Sequence, residues 1–189
     1  MDKKELRKKI LTIRNKMTVE DVENNSRIIR NKIINLDIYK KSKTVFIYMD
    51  FKNEVTTSIL IKNMLSEGKR VLVPFTDSVN TAIIPSEIFK ESDLVLNPFG
   101  YYEPKNLLSV PVEEIDLVIV PGVVFDKNLN RIGFGKGYYD RILAKLKASA
   151  KKIAVAHDFQ LLDLIPTEEH DIKMDILVTE KRIIGMDTS

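Results

Sequence analysis

A chain of 189 residues, 44% apolar and 30% charged, has the balance expected of one ordinary soluble domain and enough length to bury a core. It contains no cysteine, which excludes disulfides, thiolate zinc sites and cysteine nucleophiles, and no apolar run reaches the length needed to cross a bilayer. The formal net charge of +3 is unevenly placed, because residues 1–16 carry seven basic groups and two acids, +5 in all, and leave −2 for the rest. A nucleic-acid binder usually spreads its basic surface more widely. With charge from Asp2 onward and no apolar segment behind it, the expectation is a cytoplasmic protein without a secretory signal, a membrane segment or an obligate protein partner.

In chain order, Leu6, Ile10, Ile13 and Met17 recur at steps of four, three and four and predict a basic helix over about residues 3–17. Thr18 and Asp21 have the spacing of an N-cap and its N3 partner, and Val22, Ile29, Ile33 and Leu36 continue a second helix. Residues 44–49 form a run of β-favouring side chains that predicts a buried strand. A helix over 56–67 follows, with Gly68 placed to end it, then a strand over 70–73 closed by Pro74 and a short one over 81–84. Residues 116–120 give the clearest strand, and a helix over about 136–148 and strands over 152–156 and 176–178 complete the pattern. Strands alternating with helices predict a single α/β domain, a three-layer α/β/α sandwich with a mostly parallel sheet. Such sheets bind ligands beyond the C-terminal ends of their strands, here the residues after Met49, Val120 and Ala156.

Four of the seven glycines fall between residues 122 and 137. Gly133, Gly135 and Gly137 alternate just before a predicted helix start, an arrangement that offers backbone N–H groups to an anion, with Arg131, Lys136 and Arg141 as further donors. The spacing matches neither Gly-x-x-x-x-Gly-Lys-Ser/Thr nor Gly-x-Gly-x-x-Gly, so the segment reads as a phosphate site or as a tightly packed turn. Asp140 either favours the helix dipole or supplies oxygen to Mg²⁺. Glu54 either accepts hydrogen bonds from a heterocycle or stands as a solvated loop acid. Lys3, Lys4 and Arg7 either cover an exposed helix face or reach nucleotide phosphates. The two histidines, His157 and His170, lack the spacing of a zinc motif, and a lone histidine is commonly structural.

The stretch Arg131-Ile-Gly-Phe-Gly-Lys-Gly-Tyr-Tyr-Asp140, preceded by Pro121-Gly122 and Phe125-Asp126, closely resembles the signature of the 5-formyltetrahydrofolate cyclo-ligase family. Lys3-Lys-Glu-Leu-Arg7, Glu54, Glu103-Pro104, His170-Asp171 and Asp175 resemble further family features, so the likeness spans the chain. It implies a three-layer α/β/α fold and an ATP- and Mg²⁺-dependent conversion of 5-formyltetrahydrofolate, with or without a polyglutamate tail, to 5,10-methenyltetrahydrofolate. By the same resemblance Lys3, Lys4, Glu5, Leu6, Arg7, Arg131, Ile132, Gly133, Phe134, Gly135, Lys136, Gly137, Tyr138 and Tyr139 contact ATP. Met49, Glu54, Phe134, Gly135, Lys136, Gly137 and Tyr138 contact the folate, Lys136 and Tyr138 act in catalysis, and Asp140 and Asp171 bind the metal. Phe134 stands where the family often has tyrosine or arginine, and Lys136 where many members have a fourth glycine. Two other readings fit the residues less well. A sugar-phosphate isomerase or CoA-handling protein needs an acidic general base. A nucleic-acid module acting through residues 1–16 leaves the glycine segment without a role.

Overall fold

The strand cores are β-branched and aliphatic on both faces, and this composition places them inside a sheet covered from both sides. In the computed structural model, which describes residues 1–185, the chain forms α1 (Lys3–Arg14), α2 (Val19–Ile34), α3 (Asp37–Lys41), β1 (Thr44–Ile47), α4 (Ser58–Ser66), β2 (Arg70–Asp77) and β3 (Ala82–Ile88). It continues through β4 (Leu94–Leu96), β5 (Tyr102–Pro104), β6 (Leu117–Val120), β7 (Val124–Asp126), β8 (Arg131–Ile132), α5 (Tyr138–Leu143), β9 (Lys151–Val155), β10 (Leu161–Leu162), β11 (Ile176–Val178) and β12 (Ile183–Gly185).

Seven strands make the central sheet in the order β12-β11-β9-β6-β1-β2-β3. The five inner strands are parallel, and antiparallel β12 and β3 close the edges. Alternate residues divide between two cores, as the period of a strand requires. Val45, Ile47, Val71, Val73, Leu117, Ile119, Ile153 and Val155 face α2, α3 and α4. Phe46, Leu72, Val118, Val120, Ala154 and Leu177 face the other way, onto Ile142 and Leu143 of α5 and onto loop residues Val110, Ile115 and Met174. The predicted three layers are present, but the second outer layer is one short helix and irregular chain. Among the described residues no helix is long and apolar enough to cross a membrane.

Helix α1 belongs to neither core. Its Leu6 and Ile10 pack with Val123, Val124, Ile132 and Ile165 on a three-stranded sheet in the order β10-β7-β8. The helix starts in a capping box between Asp2 and Glu5, whose carboxylates each accept the other's backbone N–H. Thr18 caps α2 by accepting the Asp21 N–H at 3.1 Å, at the expected position.

Several boundaries differ from expectation. Helix α1 ends at Arg14, not near residue 17, and its inward stripe is Leu6, Ile10 and Arg14 at strict steps of four, while Ile13 is 41% exposed. Pro74 does not close β2. Pairing with β1 stops at Leu72, so from there β2 has one partner, and Pro74 needs no donor on its other side. Thr81 takes φ +48 in the turn, and β3 begins only at Ala82. The helix expected over about 136–148 is α5, six residues beginning at Tyr138 after left-handed Gly137. The β4–β5 pair and the small sheet are too short for a periodic signal and were not anticipated.

Gly122, between β6 and β7, has no room for a side chain: a Cβ there would lie 2.4 Å from Cζ of buried Phe125 and 3.1 Å from Cγ of Arg131. Gly122→Ala is therefore expected to cost about 1–3 kcal/mol by overpacking, and differential scanning calorimetry should show Tm falling by roughly 3–10 °C. An unchanged Tm would mean that the Phe125 ring moves aside freely.

Candidate functional site

The C-terminal ends of β1 and β6 open into a cleft of about 1030 Å³ that α1, the glycine segment and the segment around residues 166–171 complete. The cleft thus lies at the sheet edge that parallel topology favours. Two of the three expected stretches line it. The third, after Ala156, does not: His157 is fully buried beneath the cleft wall, and residues Pro166 to Asp171 take the place on the rim.

The glycine segment folds as a loop because Gly135 and Gly137 take φ +99 and +69, conformations that side chains with a Cβ rarely adopt. Between them Lys136 projects, exposed, into the cleft. Arg131 braces the loop from beneath, donating from Nη1 to Pro121 O at 3.0 Å and from Nη2 to Asp140 Oδ1 at 3.1 Å, with its guanidinium 5.8 Å from the centre of the Tyr139 ring. Arg141, expected as a ligand donor, lies outside the cleft lining. It donates to the carbonyls of Lys136 and Thr81 and covers the Tyr138 ring. Because α5 starts at Tyr138 and has six residues, the loop's own N–H groups rather than a long helix dipole remain to meet an anion.

At the loop's other flank, Arg7 Nε donates to Gly133 O at 2.7 Å, and Lys3 Nζ donates to Asp171 Oδ2 at 2.7 Å with Glu168 at 3.4 Å. Lys3, Lys4 and Arg7 face the cleft. Glu5 and Leu6, expected in the nucleotide set, do not: Glu5 is spent on the capping box and Leu6 on the apolar anchor of α1. Burial opposes ionisation of Asp171, but the Lys3 hydrogen bond, the Glu168 N–H and the charges of Lys3 and His170 outweigh it and hold the carboxyl below the usual range. Asp140 and Asp171 both line the cleft, yet each meets a basic side chain. Among the described residues the one grouping of three possible metal ligands is Glu168, His170 and Asp171, without Asp140.

The opposite end of the cleft is apolar and aromatic. Met49 and Phe51 line it, Phe51 meets Tyr101 edge-on at 5.7 Å, and Tyr102 lies beside them. Glu54 stands there, 6% exposed, accepting the Phe51 N–H at 2.8 Å. It is no solvated loop acid. Burial pushes its carboxyl up to about 7, with Asp50 adding to the rise and Arg14 and the Phe51 N–H opposing it. Burial pushes the Tyr139 and Tyr48 phenols up as well, and the charge of Glu54 adds to both.

Arg14 is the cleft residue that sequence reasoning missed. Counted only as one of seven N-terminal cations, it is 2% exposed, with its guanidinium 5.6 Å from the ring centre of half-exposed Phe134 and Nη1 3.3 Å from Gly122 O. Burial pushes its pKa down, against the opposing charges of Glu54 and Tyr48. The signal that could have found it is its place on the Leu6–Ile10 stripe, where an exposed lysine or arginine would not fall. Tyr48, Phe51, Tyr101 and Tyr102 left no comparable mark.

Residues 1–180 match the model of the 5-formyltetrahydrofolate cyclo-ligase family. The chain belongs to that family. A 5-formyltetrahydrofolate cyclo-ligase of Mycolicibacterium smegmatis is 33% identical, over 95% of this chain and 94% of that protein. A solved 5,10-methenyltetrahydrofolate synthetase of Aquifex aeolicus superposes with a TM-score of 0.87 at 35% identity, covering 100% of this chain and 95% of its own. A second, from Mycoplasma pneumoniae, gives 0.77 at 28% identity over 95% and 99%. The chain is an enzyme, a ligase of folate metabolism.

Because the folded carboxyl of Glu54 titrates near 7 instead of 4.5, the native state holds a proton there that the unfolded chain releases. Its contribution to stability is complete below about pH 4.5 and is lost as pH rises to about 7, an effect on the order of 2–4 kcal/mol. Glu54→Gln should flatten the stability curve in that window and be more stable than the parent at pH 8, as urea unfolding between pH 5 and 8 would show. Parallel curves for the two proteins would place the Glu54 pKa in the ordinary range.

Proposed function

We propose that the chain catalyses, in the cytoplasm, the ATP- and Mg²⁺-dependent cyclisation of 5-formyltetrahydrofolate to 5,10-methenyltetrahydrofolate with release of ADP and phosphate. The observation that carries this reading is that one cleft holds a glycine loop flanked by the basic groups of α1 at one end and a buried carboxylate among aromatic rings at the other. Polyphosphate suits the first end, where Lys3, Lys4, Arg7, Lys136 and the loop amides converge. A pterin suits the second. Its amino and ring N–H groups match the acceptor geometry of Glu54, and its flat ring matches Met49 and the aromatic walls.

The N5 formyl group is a poor electrophile because N5 donates into the carbonyl. Transfer of the γ-phosphoryl from ATP to the formyl oxygen forms one O–P bond as the β,γ-bridge breaks and ADP leaves. N10 then attacks the activated carbon and loses its proton, and the C–O bond breaks to release phosphate. Such transfer asks for positioning and charge stabilisation more than for covalent chemistry. Lys136, set between two left-handed glycines, places an ammonium at the transferring group, and Tyr138 borders the same space. Neither histidine forms a nucleophile–base pair: His157 faces the amide of Asn25 and the carbonyl of Asn53, and His170 faces Glu168 and Asp171. Mg²⁺ fits the donor set, since Asp140 and Asp171 offer hard carboxylate oxygens on the cleft wall and Asp171 is held ionised. When bound it would offset phosphate charge. The basic partners Arg131 and Lys3 hold both carboxylates in place meanwhile.

Purified protein mixed with 5-formyltetrahydrofolate, ATP and Mg²⁺ should develop the near-ultraviolet absorbance of the conjugated methenyl product, and the band should depend on ATP. A flat trace from folded, ATP-binding protein would move the assignment to another phosphate-bearing substrate. In the same assay Asp140→Asn, which keeps an oxygen for Arg131, should lose about 10–100-fold in turnover while its Tm stays within a few degrees of the parent. Undiminished turnover would remove Asp140 from the reaction.

A further inference from the structure

The loop that carries Glu54 is tied on two sides through Asn53, beside the bonds from Tyr48 Oη to Val55 O, from Thr56 N–H to Ser26 Oγ and from Thr57 N–H to Asp50 Oδ1. Asn53 Nδ2 donates to Arg14 O at 2.8 Å and to Met17 O at 3.1 Å, so its amide bridges the last residue of α1 and the turn that follows it. Its own carbonyl accepts a hydrogen bond from His157 Nε2 at 2.8 Å. Since a carbonyl only accepts, Nε2 carries the proton, and Nδ1 is left to accept from Asn25 Nδ2 of α2 at 3.1 Å. Burial pushes the imidazole pKa down, which suits this neutral, doubly bonded ring. The loop needs such a hold, because Lys52, next to Asn53, sits at φ +52 without being glycine.

The other end of α1 meets different partners. Lys3 bonds Asp171 and Arg7 bonds Gly133 O, at the glycine-loop end of the cleft. Leu6 and Ile10 anchor the helix to the small sheet along its length, and it shares in neither core of the main sheet. A helix of 12 residues spans about 18 Å; α1 touches the glycine segment through Arg7 at Gly133 O and through Arg14 at Phe134, and it meets the Glu54 loop at its C-terminal end through the Arg14 carbonyl.

We propose that Asn53 is a positioning residue that locks the Glu54 loop to α1, so that a nucleotide at one end of the helix and a folate at the other reinforce each other's binding. The reasoning is entropic and reciprocal. A nucleotide that engages Lys3, Lys4 and Arg7 fixes α1, and a fixed α1 presents Glu54 already placed, so the folate orders less on arrival. The inference rests on the reading of the cleft given above.

The test is calorimetric titration of the full chain with 5-formyltetrahydrofolate, with and without a non-hydrolysable ATP analogue and Mg²⁺, and of the analogue alone. The parent protein should bind the folate at least about 5-fold more tightly when the analogue is present, the lower end of ordinary coupling. In Asn53→Ala that ratio should fall towards one while the analogue alone binds as in the parent. In turnover, KM for the folate should rise with kcat less affected, a split that general destabilisation would not produce. His157→Gln, which can keep a donor towards the Asn53 carbonyl, should retain most of the coupling and serves if Asn53→Ala does not fold. A parent with no coupling, an Asn53→Ala protein with full coupling, or a folded His157→Gln protein without coupling would each overturn the proposal. Failure of the parent to bind the folate at all would instead overturn the reading of the cleft.

Discussion

The site is organised around the buried guanidinium of Arg131. It joins the end of β6, through Pro121 O, to the start of α5, through Asp140, and lies against the Tyr139 ring. That tie joins both flanks of the loop of alternating glycines between β8 and α5. Glycines allow a loop to approach a ligand closely but do not hold it in one shape. The loop is stiff because its carbonyls are occupied from outside: Gly133 O by Arg7 and Lys136 O by Arg141. Three arginines therefore spend their donors on backbone carbonyls, which leaves the amides of the loop, and Lys136, to face the cleft. Among the described residues the Nε atoms of Arg131 and Arg14 meet no acceptor, and a buried donor left unpaired costs free energy.

The same division of labour shapes the opposite end. Among the described residues Glu54 is buried without a salt bridge, its charge opposed by desolvation and by Asp50 and relieved by Arg14. A carboxylate so placed accepts the Phe51 N–H at one oxygen and gains from a ligand that brings further donors. The two ends of the cleft thus differ in kind: cationic groups and amides at one, a desolvated carboxylate with aromatic walls at the other. A substrate pair consisting of a polyphosphate and a donor-rich flat heterocycle is complementary to this difference. A sugar phosphate would leave the aromatic half unused.

Much of the fold could be read from the sequence because parallel strands covered on both faces have a strong, local signature. The runs at 45–47, 117–120 and 176–178 are apolar at every position, and few other structures produce that. What escaped were elements defined by partners far away in sequence. Strand β2 continues past Pro74 only because β1 stops beside it, and β8 has two residues. The short α5 is overestimated from sequence because Ile142, Leu143 and Leu146 keep a helical spacing past the point, Leu143, where the regular helix ends. In the site, the glycine segment and the acids stood out through spacing or composition. Arg14 did not, because charge suggested an exposed face and only its register with Leu6 and Ile10 argued otherwise.

That register also decides how the N-terminal charge is to be understood. Seven basic groups in sixteen residues could form one solvated face or one phosphate-binding face. The helix instead divides them. Lys8, Lys9 and Lys16 are exposed and line no part of the cleft, whereas Lys3, Lys4, Arg7 and Arg14 turn towards it. A nucleic-acid surface needs its cations gathered on one outward side, where they can follow a phosphate backbone. Here the inward group is the larger, and three of its four members are already bonded to the loop, the rim or the cleft wall. Groups held in this way are turned towards the cleft and not towards bulk solvent. The excess of +5 at the start of the chain is therefore divided between the cleft that α1 helps to line and the exposed face of that helix.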